Sequence, residues 1–193
     1  MAVGTRSDAR VERTVAKVLA AAHRLLETEG LGSVTFGRLS RETGVSRTTL
    51  YRHWSSPSEL ISEAWGRVAP SNHVSQTAEL QHDLVAVFLA VRDVVDSSTM
   101  RRSLPALLVA AQRDPVISSL HARFVQDRRQ PIVERLRAAI DDGQIRGDAD
   151  PELLVDLLSG PIFYRQLLRR TRTSDDDVRA MVAAALASVR PGS

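Results

Sequence analysis

Between Thr35 and Ser55 the chain carries Arg38, Arg41, Arg47 and Arg52 against the single carboxylate of Glu42. Guanidinium groups at that density attract phosphate. Interleaved with them are Thr48, Thr49, Tyr51 and His53, whose hydroxyls and ring nitrogens are hydrogen-bonding groups. A solvated helix face has the same composition, so charge alone leaves both readings open. Other chemistries find less support. The five histidines, His23, His53, His73, His82 and His121, form no His-Glu-x-x-His pair, and neither a phosphate-binding loop nor a dinucleotide glycine pattern is present. Having no cysteine, the chain has no thiolate nucleophile, thiol switch or zinc-thiolate site. Asp175, Asp176 and Asp177 read as charges complementing a helix dipole, and the acidic stretch from Asp141 to Glu152 lacks the alternate-position oxygens of a calcium loop. No catalysis, cofactor or metal is expected.

The elements that must present these residues are helices. Val11, Val15, Val18, Ala22, Leu25 and Leu26 recur at steps of three and four and predict a helix over 8–29, with Gly30 as its stop. Thr35 can cap a second helix ending at Gly44, and Ser46 a third through about Trp54. Ser56-Pro57-Ser58-Glu59 has the form of a capping box and opens a fourth helix to about Val68. Pro70-Ser71-Asn72 breaks it, which sets the expected boundary between an N-terminal domain, 1–69, and a C-terminal domain, 70–193. Helical patterns then follow at about 76–96, 100–113, 116–142, 151–170 and 175–190, with no strand-like alternation to compete. The fold class is all-α, with nine helices.

Helices two and three, joined by Gly44-Val45-Ser46, have the layout of a helix-turn-helix. Leu39, Val45 and Leu50 can bury against the first helix. Arg47, Thr48, Thr49, Tyr51, Arg52 and His53 are then left on or beside the exposed face of a helix whose width fits the DNA major groove. The charge distribution agrees with this. Residues 1–70 hold 10 Lys+Arg against 7 Asp+Glu, and residues 71–193 hold 16 of each, so the whole excess of +3 lies in the first third. Arginine abundance is weaker evidence, because Lys17 is the only lysine and a GC-rich genome gives the same bias. The first ten residues lack the apolar core of a signal peptide, and no apolar run approaches the roughly 20 residues of a membrane span. A cytoplasmic location without membrane association is expected.

Thr35 through Leu60, with Gly44-Val45-Ser46 and Leu50-Tyr51-Arg52-His53-Trp54, resembles the DNA-binding domain of the tetracycline-repressor (TetR) family. The resemblance implies a helix-turn-helix head on a helical ligand-sensing and dimerising body. It puts Arg47, Thr48 and Arg52 where family members read bases, and Thr35, Thr49, Tyr51 and His53 where they hold phosphates or groove edges. For Tyr51, His53 and Trp54 the alternative is packing against the fourth helix, which is favoured for Trp54. Two positions depart from the pattern. Gly37 stands where some relatives place a base-reading side chain, and Pro57 replaces a lysine that commonly anchors phosphate. Arg38, Arg41, Arg6 or Arg10 can supply that charge.

The resemblance also makes the last two helices a dimer interface, through Leu153, Leu154, Leu157, Leu158 and Ile162 on one and Val178, Met181, Val182, Ala185, Leu186 and Val189 on the other. An intramolecular core is the alternative. Trp65, Phe88, Leu108, Gln112, Phe124, Phe163 and Tyr164 are candidates to line a pocket for a small, largely apolar effector, or else are simple core. The expected function is a homodimeric regulator, a repressor, bound to a (pseudo)palindromic double-stranded operator and released by such an effector. Its two recognition helices would lie about 34–36 Å apart. The alternative is a DNA-binding regulator without a small-molecule ligand, constitutive or controlled by a protein partner.

Overall fold

A computed structural model describes residues 4–68 and 73–191, except for the side chains of residues 4–10, 65, 67 and 68. The expected boundary at 69/70, with the Pro70 break, lies outside the described residues. Nine α-helices are present among those residues, and no strand: α1 (Gly4–Thr28), α2 (Phe36–Thr43), α3 (Arg47–His53), α4 (Pro57–Val68), α5 (Leu80–Asp96), α6 (Ser98–Ala111), α7 (Pro115–Asp141), α8 (Pro151–Tyr164) and α9 (Asp175–Ala187). The all-α, nine-helix class read from the sequence is the class found.

Contacts divide the chain into two compact units, Met1–Pro70 with Ser98–Phe124, and Ser71–Ser97 with Val125–Ser193. In the first unit α1 packs against α2, α4 and α6. Its buried stripe is Val18, Leu19, Ala21, Ala22, Leu25 and Leu26. The last turn of a helix leaves carbonyls without partners. Here α6 supplies them, since Ser103 Oγ donates to the Leu26 carbonyl at 2.9 Å and Arg102 Nη1 to that of Thr28 at 3.2 Å.

The second unit is built on α5, α8, α9 and the C-terminal part of α7. Leu84, Val87, Phe88, Ile132, Leu136, Leu154, Leu158, Ile162, Val178 and Val182 form its core. A buried ion pair lies beside it. Asp83 accepts from Arg135 Nε at 2.8 Å, from the Thr77 backbone N–H at 3.0 Å and from Thr77 Oγ1 at 2.8 Å. Burial alone would raise the Asp83 carboxyl, but these three donors hold it below its ordinary value. Helix α5 consequently begins at Leu80, later than the apolar pattern predicts, because residues 77–79 fold back onto Asp83.

The apolar faces expected to meet across a dimer need correction. Leu154, Leu158, Ile162, Val178, Val182 and Val189 are buried within the chain's own second unit. Helix α8 is apolar on two faces, so a list of its leucines does not separate core from surface. Leu153 and Leu157 point the other way, 54% and 52% exposed, followed by Tyr164 at 55% and Leu168 at 72%. The chain passes through Pro161 within α8 and then widens into a single π turn, Arg165–Arg169, closed by Arg170 at φ 53°.

Candidate nucleic-acid interface

Two capped ends and one glycine set the geometry of α2 and α3. Thr35 Oγ1 accepts from the Arg38 N–H at 3.2 Å and starts α2. Gly44 ends it in the left-handed region at φ 69°, a conformation a side chain strains. Ser46 Oγ then accepts from the Thr49 N–H at 3.1 Å and starts α3. Leu39 and Leu50 are fully buried, and Val45 is half-buried. Trp54 is 3% exposed, with its indole N–H donating to Glu63 on α4 at 2.8 Å, so packing is its role.

On the opposite side Arg47, Thr48, Tyr51 and Arg52 are exposed, and Thr49 and His53 are half-buried. The Tyr51 ring rests edge-on against Phe36 of α2, with centroids 4.7 Å apart and planes at 87°, while the side chain remains 60% exposed. This orients Tyr51 without hiding it. The His53 ring stands 5.6 Å from that of Trp54. Thr49 Oγ1 shares a hydrogen bond with Ser46 Oγ at 2.9 Å.

The arginines of the patch differ in their partners. Arg38 is bound to Glu42 through Nε at 2.6 Å and to Glu29 through Nη2 at 2.8 Å, and these hydrogen bonds and charges raise its pKa. Arg47 and Arg52 have no ion-pair partner among the described residues. The Arg38–Glu42 contact spans four positions on one helix face and was available from spacing alone, whereas Glu29, in the turn after α1, was not. Sequence reasoning also missed Glu63 as the acceptor of the Trp54 indole. At the start of α4, Glu59 donates its N–H to Ser56 Oγ as expected, but its carboxylate reaches Ser55, through backbone N–H at 2.7 Å and hydroxyl at 2.8 Å. Those bonds lower the pKa of Glu59. The side chains of Arg6 and Arg10 lie outside the described residues.

Within the first unit, a shallow, half-open recess with a cavity volume of about 20 Å³ lies between α4, α6 and α7. Ser58, Ile61 and Ser62 line one wall, and Leu107, Ile117, Leu120, His121 and Phe124 the others. Burial lowers the pKa of His121. Of the pocket candidates, Phe124 borders this recess. Phe88 is buried in the core of the second unit with Phe163 packed on it, Leu108, Gln112 and Tyr164 are exposed, and the side chain of Trp65 lies outside the described residues. Among the described residues no cluster of three or more acidic or histidine side chains comes together as a metal site, and no helix is long and apolar enough to cross a membrane.

Two capped helices, a left-handed glycine turn and an exposed basic face on the second helix define a helix-turn-helix protein. Residues 18–64 match the family described as bacterial regulatory proteins, tetR family, and residues 74–185 the tetracyclin repressor-like C-terminal domain. The chain is 31% identical over 193 residues to the uncharacterized HTH-type transcriptional regulator YdeS of Bacillus subtilis, covering 96% of this chain and 94% of that one. It is 27% identical over 188 residues to the DNA-binding transcriptional repressor TetR of Mycobacteroides abscessus, covering 95% and 98%. The crystal structure of the TetR family regulator SCO0332 superposes with a TM-score of 0.75 at 36% identity, over 92% of this chain and 99% of that one. The chain therefore belongs to the TetR family of DNA-binding transcriptional regulators. Members of that family act by binding DNA and are not enzymes.

Proposed function

We propose that this protein is a cytoplasmic repressor that binds a (pseudo)palindromic operator as a homodimer and is released by a small, largely apolar effector. Arg47, Thr48 and Arg52 read base edges. Thr35, Thr49, Tyr51 and His53 hold phosphates or groove edges, and Arg38, bound to Glu42 and Glu29, steadies the α2 end of the patch. The observation that carries this reading is the pairing state of the arginines. Arg47 and Arg52 stand exposed on α3 with no carboxylate partner among the described residues, and an uncompensated guanidinium is free for a phosphate or for guanine O6 and N7. The exposed leucines of α8 support the dimer, because two large apolar side chains one helical turn apart, more than half open to water, stabilise an assembly when they are covered.

The recess supports the effector. Its walls are mostly apolar, with hydroxyls at Ser58 and Ser62 and an imidazole at His121 as polar handles. Helix α4, which forms one wall, also holds α3 through the Glu63–Trp54 bond. A ligand that moves α4 therefore reaches the recognition helix through one element, and a hundredfold loss of operator affinity needs about 2.7 kcal/mol of coupling. A second reading, DNA binding without a small-molecule ligand, draws support from the recess volume of about 20 Å³, far below the roughly 300–1,000 Å³ of ligand sites.

One experiment tests the DNA assignment. Binding to an enriched operator duplex is measured across a salt series for wild type, Arg47→Ala and Arg52→Ala. Each variant is expected to lose about 1–3 kcal/mol. Wild-type affinity in both variants would refute it. For release, a compound that occupies the recess must bind the operator complex more weakly by the same factor by which it loosens DNA. Ligands that bind the dimer and leave operator affinity unchanged favour the second reading.

A further inference from the structure

Gly37 is the second residue of α2, and its φ is not in the left-handed region, so the backbone there makes no demand for glycine. Glycine in a helix interior is disfavoured relative to alanine, because it gives up more backbone freedom and packs nothing. The reason for it lies across the turn. A Cβ on Gly37 would stand 2.9 Å from Arg47 Nη2, 3.5 Å from Cζ and 3.8 Å from Nε. The guanidinium of Arg47 thus lies over the bare Cα of Gly37, in space that a side chain of α2 would occupy. Among the glycines whose surroundings are described, no other has an atom within 4 Å of where its Cβ would be.

We propose that Gly37 is a specificity-determining residue, which by lacking a side chain lets Arg47 of α3 deliver the base-reading guanidinium at the place where α2 meets the groove. The inference rests on the DNA-binding reading of α3 given above. It explains why a glycine stands at this half-buried position of α2: two side chains cannot occupy one position, and the longer, forked one is supplied from the recognition helix. A methyl group at residue 37 needs more than the 2.9 Å available, so it displaces the far end of Arg47 while the helix itself tolerates alanine well. A shift on the order of half an ångström is enough to spoil a two-bond contact between a guanidinium and guanine, because both bonds require the fork to lie in the base plane.

The test is selection of bound sequences from a pool of randomised double-stranded DNA, using full-length wild type, Gly37→Ala, Arg47→Ala, Arg47→Lys and the Gly37→Ala/Arg47→Ala double variant. Dissociation constants for the wild-type motif and thermal melting are then measured. Wild type is expected to enrich a two-fold symmetric motif with one guanine column per half-site that Arg47→Ala no longer selects. Gly37→Ala should melt at or above the wild-type temperature, lose preference at that same column and bind the wild-type motif about tenfold more weakly, the scale of one impaired base contact. Arg47→Lys, having no fork, should lose the same column. In the Arg47→Ala background, Gly37→Ala should change affinity by no more than about twofold, since the group it displaces is gone. The inference is overturned if Gly37→Ala selects the wild-type motif with wild-type affinity, or if its loss persists in the absence of Arg47. Failure of wild type to enrich any motif refutes the DNA-reading assignment itself, and the inference with it.

Discussion

Covering Leu157 of α8 in a dimer has a calculable consequence. The side chain is 52% exposed in the single chain. Complete burial of a leucine side chain stabilises by about 1.5–3 kcal/mol, so covering the open half is worth about 1 kcal/mol. A two-fold axis applies the contact twice, and Leu157→Ala should therefore weaken association by about 2 kcal/mol, roughly a thirtyfold rise in the dimer dissociation constant. Leu157→Glu goes further, since it leaves a carboxylate with no partner in a closing apolar contact. Combined with Leu153→Glu it should give a monomer at micromolar concentration by sedimentation velocity. The folded monomer should survive, because both positions face water and surface substitutions cost within about 0.5 kcal/mol. Leu158, one residue on and 2% exposed, provides the contrast. Leu158→Ala should cost about 2–5 kcal/mol of folding stability by opening the core. If Leu153→Glu/Leu157→Glu sediments as a dimer with unchanged melting, the α8 surface is not the interface and the reasoning fails.

Asp83→Ala leaves the Arg135 guanidinium buried without its carboxylate and should cost about 3–5 kcal/mol in urea unfolding. Because the folded carboxyl sits below its ordinary value, its contribution is complete above the unfolded pKa of about 3.9 and is lost as pH falls through the lower folded value, so wild type and Asp83→Asn should converge in stability in acid. His121 has the opposite chemistry but the same direction. Burial lowers its folded pKa, so below the unfolded value of about 6.5 the unfolded chain takes up a proton that the fold resists, and the melting temperature should fall with acidification more in wild type than in His121→Phe. Glu63→Ala leaves the buried Trp54 indole N–H without its acceptor and should cost about 1–3 kcal/mol, whereas Glu63→Gln, retaining a carbonyl oxygen, should cost less.

What the sequence made legible was local. Thr35, Gly44 and Ser46 announce the ends of α2 and α3 because capping and left-handed turns depend on residues only three or four apart, and the structure uses each of them in that way. The start of α5 was less legible because a distant partner helps to set it. Residues 77–79 answer to Asp83 and, through it, to Arg135 more than fifty positions on. The leucines of α8 failed as a guide for a related reason. Leu153, Leu154, Leu157 and Leu158 are chemically alike, and only packing against α5 and α9 decides which pair turns inward. The contact between Gly37 and Arg47 was invisible in the string, where glycine registers as a missing side chain and not as room for another.

The basic patch shows why charge counts alone were ambiguous and how pairing resolves them. In the second unit several arginines are held by the fold. Arg92 bonds to Asp93, Asp175 and the Thr173 carbonyl, Arg129 to Glu152 and Asp156, and Arg165 to both oxygens of Asp177. Residues 71–193 carry equal numbers of each sign, so the net excess lies in residues 1–70, and Arg47 and Arg52, without an ion-pair partner among the described residues, carry part of it. The same residue type should then fail in two distinguishable ways. Arg92→Gln removes charged hydrogen bonds from a side chain almost closed to water and should lower folding stability by about 2–3 kcal/mol, while the protein that remains folded binds operator as wild type does. Arg52→Gln should leave the melting curve where it is and reduce both operator affinity and the steepness of its salt dependence, since one cation fewer displaces counterions from DNA. An Arg52→Gln variant that unfolds early while binding DNA normally would show that Arg52 serves the fold, and would remove the physical basis for placing α3 in the groove.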